Sequence, residues 1–213
     1  MIDCLSVGIL VVDHLCPPIP RVPKSGELIL VDRLPLSIGG CAANVAIDLA
    51  RLGVGVGVVG CVGRDAFGQF VASSLATAGV EVGGLATLDD AETSGSLIIN
   101  VAGEDRRFIH AAGANTRLKI DHIDRRLALS AKVLYVGGYL LTPALLPDQL
   151  AELFRAARAA GVVTVLDVVL PGAGDHWPTL TPVLAETDVF LSLAMPILSV
   201  KRNDFALQAQ RPW

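Results

Sequence analysis

Charge of either sign is sparse in this chain of 213 residues. Asp, Glu, Lys and Arg make up 18% of it, and 21 acidic against 17 basic side chains leave a formal net charge of −4. That balance gives no electrostatic reason for nucleic acid or an anionic membrane as a partner, and the short pairs Arg106-Arg107 and Arg125-Arg126 read as solvated surface. Apolar runs are broken by Gly, Pro or charge before they reach about 18 residues, so no membrane span is expected. Cysteine is scarce as well. Cys4, Cys16, Cys41 and Cys61 are far apart and form no C-x-x-C pair, which speaks against a zinc site or a redox motif and for buried free thiols. His14, His110, His122 and His176 lack metal-ligand spacing, and a G-x-S-x-G elbow is missing, so no metal centre or hydrolase is expected. Asp3 interrupts the N-terminus where a secretory signal would need a basic region before an apolar run. The chain reads as cytoplasmic.

What the sequence does hold is apolar mass, 52% of its residues, enough for one good-sized domain with a large core. Ser6 to Val12 is a continuous apolar run suited to a strand buried on both faces, with Asp13 at its end. Cys16 to Pro23 carries too many prolines for a helix or a central strand, and Glu27 to Leu36 reads as extended. Beyond it, helical and strand patterns alternate. Helices are expected to Leu52, over Ala66 to Ala78, near Asp121 to Leu129, and over Pro147 to Ala160. Strands are expected over Val54 to Val62, Ser96 to Val101, Arg107 to Ala111, Val133 to Gly137, Val162 to Val168 and Asp188 to Leu191. This alternation predicts an α/β fold, a Rossmann-like and mainly parallel sheet flanked by helices. Ligands of such sheets collect beyond the carboxyl ends of the strands, where Asp13 is expected.

The most informative stretch is Gly39-Gly40-Cys41-Ala42-Ala43-Asn44-Val45-Ala46, followed by Gly53 and Gly63. Glycines there let a backbone approach a ligand closely, and Asn44 both donates and accepts, which suits vicinal hydroxyls. They open a helical segment whose apolar positions are Val45, Leu49 and Leu52.

With these residues the chain resembles the ribokinase-like, or PfkB, family of carbohydrate kinases. The family's first signature is matched at Gly39, Gly40, Ala42, Asn44, Ala46, Gly53 and Gly63. Asp13, Gly63-Arg-Asp65-Ala-Phe-Gly68, Gly113-Ala-Asn115 and Leu166-Asp167-Val-Val extend the match over roughly residues 4 to 191. The resemblance implies transfer of the γ-phosphoryl of ATP, with Mg²⁺, to a sugar or nucleoside hydroxyl. It also implies that Asp13, Gly39, Gly40 and Asn44 hold the sugar. A small β lid within about residues 14–38 is implied too, and with it a homodimer through that lid. Tyr139 is a further candidate for lining the sugar pocket.

The pattern stops near Leu191. The family's second signature, Asp-Thr-x-Gly-Ala-Gly-Asp, provides an anion hole and the base that takes the substrate's proton, and its loss should be severe. Gly172-Ala-Gly-Asp175 lacks the Asp-Thr lead, and Pro178 suits the first turn of a helix with Asp175 as a turn residue before it. No catalytic residue is therefore assigned. The expectation is a ribokinase-like domain over 1–191, truncated at its C-terminal side and weakly active or inactive, with an atypical tail over 192–213 that suggests a slipped reading frame. Two rivals stand beside it. One is a non-catalytic sugar-binding or interaction remnant. The other is an NAD-dependent oxidoreductase, suggested by Gly55-Val-Gly57-Val-Val-Gly60, although those glycines follow a helix where the dinucleotide fingerprint needs a strand.

Overall fold

A computed structural model describes residues 2–172 and 174–192. Its centre is a six-stranded sheet in the order β10-β9-β8-β1-β4-β5. The strands are β1 (Cys4–Gly8), β4 (Val56–Gly63), β5 (Glu81–Leu88), β8 (Val133–Gly137), β9 (Val163–Val168) and β10 (Val189–Ser192). All five pairings are parallel. Helices cover both faces. Along β4 the side chains alternate between them, Val56, Val58 and Val62 toward one core and Val59 and Cys61 toward the other, as the pleat requires. The first core is closed by α1 (Cys41–Arg51) and α2 (Ala66–Thr77). The second is closed by α3 (Arg125–Ser130), α4 (Pro147–Ala159) and α5 (Trp177–Leu184).

Local chemistry sets the helix limits. Asp65 caps α2 by accepting from the Gly68 amide at 2.7 Å, and Asp124 caps α3. Pro147 stands in the first turn of α4, where its missing N–H costs nothing.

A second, four-stranded sheet sits beside the first, in the order β3-β2-β6-β7. It is made of β2 (Val11–Ile19), β3 (Leu36–Gly39), β6 (Gly95–Val101) and β7 (Arg107–Ala111). This is the small sheet anticipated near the N-terminus, but its strands lie elsewhere. Residues 27–35 contain no strand, and half of the sheet comes from residues 95–111.

Three other expectations are corrected. The run from Ser6 to Val12 is not one strand, because the chain leaves the large sheet after Gly8 and enters the small one at Val11. Asp13 is thus the third residue of β2, not the end of β1. Pro17 and Pro18 do lie inside β2, at the point where its register with β6 shifts and beyond the reach of β3, which pairs only as far as His14. Their missing N–H groups therefore break no ladder. Finally, α1 buries Ala42, Ala43, Ala46 and Ile47, whereas Leu52 is 78% exposed. Small residues let this helix lie close on the sheet, and they set its phase. Residues of the atypical tail beyond Ser192 lie outside the described part.

Candidate functional site

Asp13, Gly39 and Gly40 come together where the small sheet meets the start of α1, and Cys41 there adjoins the carboxyl ends of β8 and β9 at Gly137 and Asp167. Gly39 ends β3 and Gly40 is the N-cap residue before α1. A Cβ on Gly39 would collide with the Asp13 carboxylate, so the absent side chain is the space that Asp13 occupies. Gly40 has φ 90° and ψ 140°, and a Cβ there would strike the Ile9 carbonyl. Both glycines are thus explained first by close approach of the chain to itself. Asn44 lies in the first turn of α1, exposed, and its side chain makes no hydrogen bond among those described. The leading N–H groups of α1 lack intrahelical acceptors and add a partial positive charge.

Register assembles more than the sequence suggested. Ser37 lies opposite Asp13, Asp13 opposite Ser96, and Ser96 opposite His110. Directly paired residues share a face, so the four side chains form one polar row across all four strands. Ser96 Oγ and His110 Nδ1 are 3.0 Å apart. Burial raises the Asp13 carboxyl above its ordinary range, against the opposing pull of Ser96 and His110. The neighbouring row, Leu36–His14–Leu97–Ile109, shows the opposite face. His14 packs edge-on against Phe67 of α2 at 5.4 Å between ring centroids, while Leu36, Leu97 and Ile109 are exposed.

A buried acid lies beneath. Asp167, 7% exposed at the end of β9, accepts from the Tyr135 hydroxyl at 2.7 Å. Cys41, the first residue of α1, is pushed up to about 12 by burial and by Asp167, so it stays a thiol. Burial and Asp167 likewise hold Tyr135 protonated. Ser96, His110 and Tyr135 were not expected here. The available signal was strand pairing, which places them beside residues that were.

Other candidates fall outside. Tyr139 is buried in the core, not in the cleft, and its hydroxyl has no partner among the described residues. Asp175 accepts from the Trp177 amide at 3.0 Å and opens α5. Gly57 and Gly60 lie inside β4, where Cβ atoms would meet Ile2 and Leu10, so they serve packing and form no dinucleotide turn. Among the described residues no group of three or more His, Cys, Asp or Glu side chains could hold a metal ion, and no helix is long and apolar enough to cross a membrane.

The profile of the pfkB family carbohydrate kinases matches residues 1–189. A 5-dehydro-2-deoxygluconokinase of Clostridium perfringens is 29% identical over 134 residues, covering 62% of this chain and 40% of that protein. A ribokinase of Haemophilus influenzae is 30% identical over 113 residues, covering 53% and 36%. A fructokinase of Xylella fastidiosa, solved with bound ATP, superposes with a TM-score of 0.73 at 26% identity, covering 89% of this chain and 61% of that one. The chain therefore spans less than two thirds of the length of each of these relatives, and about 40% of the curated ones.

Proposed function

Because the chain belongs to the pfkB family of carbohydrate kinases, we propose that it forms the sugar-recognising part of an ATP-dependent phosphotransferase acting on a sugar or nucleoside hydroxyl. The observation that carries this reading is the Asp13 carboxylate lodged over Gly39, with the exposed Asn44 amide, which has no hydrogen-bond partner among the described residues, one helical turn beyond. A carboxylate accepts from two hydroxyls, and an amide donates to one oxygen while accepting from another. Together with the backbone at Gly39 and Gly40, they match the alternating donors and acceptors of a polyol.

ATP is the expected co-substrate, with Mg²⁺ as its counter-ion. The described residues do not fit a phosphate cradle. The Gly-Ala-Gly-Asp run spends Asp175 on the start of α5, and Asp167 is engaged by Tyr135. Phosphoryl transfer rests on positioned charge around the moving group. The 213 residues are therefore proposed to bind the sugar with little or no turnover by themselves. The exposed row of Leu36, Leu97 and Ile109 supports pairing of two small sheets in a homodimer.

The test is calorimetric titration with hexoses, pentoses and nucleosides, alongside a coupled assay of ADP release. Asn44→Ala should weaken binding of the preferred ligand by about tenfold, the worth of one or two hydrogen bonds, with an unchanged melting temperature. Unchanged affinity would remove Asn44 from the site. Binding of none of these ligands would remove the reading.

A further inference from the structure

The small sheet is joined to the body at four places: Ile9–Leu10, Gly39–Gly40, the connection from β5 to β6, and the exit from β7. At the first, the chain passes from one sheet to the other, and Leu10 belongs to neither. Leu10 is fully buried, so its backbone N–H and C=O must find partners inside the protein. Both find the same one. The Leu10 amide donates to Asn115 Oδ1 at 3.0 Å, and Asn115 Nδ2 donates to the Leu10 carbonyl at 3.0 Å.

Asn115 follows β7 in a 3-10 turn and is 1% exposed, with both its amide oxygen and its amide nitrogen engaged in this bridge. It can touch no ligand. An aspartate would lose the donor, an alanine both groups, and a glutamine would be one methylene too long. The carboxamide acts as a one-residue strand partner that ties the entry of the small sheet to its exit. Three nearby bonds run the same way: Val12 N–H to the Ser94 carbonyl at 2.9 Å, Ser94 Oγ to the Ala111 carbonyl at 2.8 Å, and Ala114 N–H to the Glu92 carbonyl at 2.7 Å. Asp13 lies three residues past Leu10, roughly 10 Å along an extended strand.

We propose that Asn115 is a positioning residue for the sugar site. By closing both backbone groups of Leu10 it fixes the angle at which β2 leaves the body, and so holds the Asp13 carboxylate over Gly39. The root of the small sheet is then rigid, and any movement over a ligand occurs beyond it, at the register shift after Cys16 and in residues 20–35. Only the consequence for sugar affinity rests on the function proposed above.

Hydrogen exchange resolved by residue decides the matter without a sugar. In Asn115→Ala, amides of Val12 to Cys16 and Ser96 to Ile98 should exchange at least tenfold faster, while those of Val58 to Cys61 and Leu134 to Val136 change less than threefold. The Asp13 carboxyl, followed by carbon NMR, should titrate closer to its ordinary range. Equal acceleration in both sheets would mean that Asn115 only adds general stability, and no acceleration would mean that the bridge bears no load. Either result overturns the proposal. Should Asn115→Ala fail to fold, Asn115→Asp, which keeps the acceptor and loses the donor, must show the same pattern. The native Leu10 amide must also be protected within tenfold of that of Val7. With D-fructose as probe, Asn115→Ala and Asp13→Ala should each lower affinity tenfold or more. If the exchange pattern appears and neither variant alters D-fructose binding, the bridge stands and the sugar assignment of Asp13 falls.

Discussion

Gly39→Ala offers a way to move one carboxylate without disturbing the fold. Gly39 has no positive φ, so alanine suits its backbone and should gain about 0.4–1 kcal/mol from a less free unfolded chain. The atoms nearest the new methyl all belong to the end of the Asp13 side chain, which can rotate aside. An off-rotamer side chain costs about 0.5–1.5 kcal/mol. The two effects nearly cancel, and the unfolding free energy should stay within about 1 kcal/mol of the native value. Binding should not survive as well. A hydrogen bond to a charged group contributes about 1.5–3 kcal/mol, so displacing the carboxylate should cost roughly 10- to 150-fold in affinity. Calorimetry on the native chain, Gly39→Ala, Asp13→Ala and the double variant forms a closed cycle. If Asp13 is the acceptor, the methyl has no further effect once Asp13 is gone. Native affinity in Gly39→Ala, or additive losses in the double variant, would refute the reasoning. Gly40→Ala is the contrast. Its φ of 90° and its collision with the Ile9 backbone leave no escape, and a cost of about 1–3 kcal/mol in stability is expected from strain alone.

Three further outcomes are expected. Tyr135→Phe leaves the buried Asp167 short of a donor and should cost about 1–3 kcal/mol, or roughly 2–12 °C in a domain of this size, read by scanning calorimetry; an unchanged midpoint would show that Asp167 finds another partner. Burial raises the Asp13 carboxyl, so the folded state holds its proton at a pH where the unfolded state has released it. The stability this lends is therefore present below the ordinary carboxylate range and lost as pH rises through the raised value. Asp13→Asn should accordingly be at least as stable as the native chain at neutral pH, in denaturant titrations, and a less stable variant would contradict the assignment. If two copies pair through the exposed apolar row as proposed, Ile109→Glu should lower the mass seen by light scattering from that of a dimer to that of a monomer; a native chain that is already monomeric, or a variant that stays dimeric, would refute pairing through this row.

How much of this was legible in the sequence varied with the physical signal. Arg107–Ala111 and Val133–Gly137 were read to the residue because turn or charge punctuation bounds each run. Glu81–Leu88 was not read at all. Its paired glycines and mixed polarity carry no period, and it becomes a strand only because β4 offers it an edge. The placement of Gly39, Gly40 and Asn44 around one helix start was local and could be read. The row through Ser96 and His110 could not, since it depends on which distant strands pair. Phase failed at Leu52 for a related reason. A hydrophobicity pattern weighs leucine above alanine, while close packing of α1 on the sheet prefers the alanines.

The bridge between Leu10 and Asn115 spans 105 positions, and this separation bears on how the chain emerges from a ribosome. At about 5–20 residues per second, roughly 5–20 s pass between synthesis of one partner and of the other. For most of that interval β2 has only β3 beside it, and Asp13 lacks its neighbour Ser96 on β6. The small sheet cannot mature as an N-terminal unit. It must wait until its second half, β6 and β7, has been made. Grafting or exchanging this sheet between relatives would therefore require two distant segments and Asn115 to travel together.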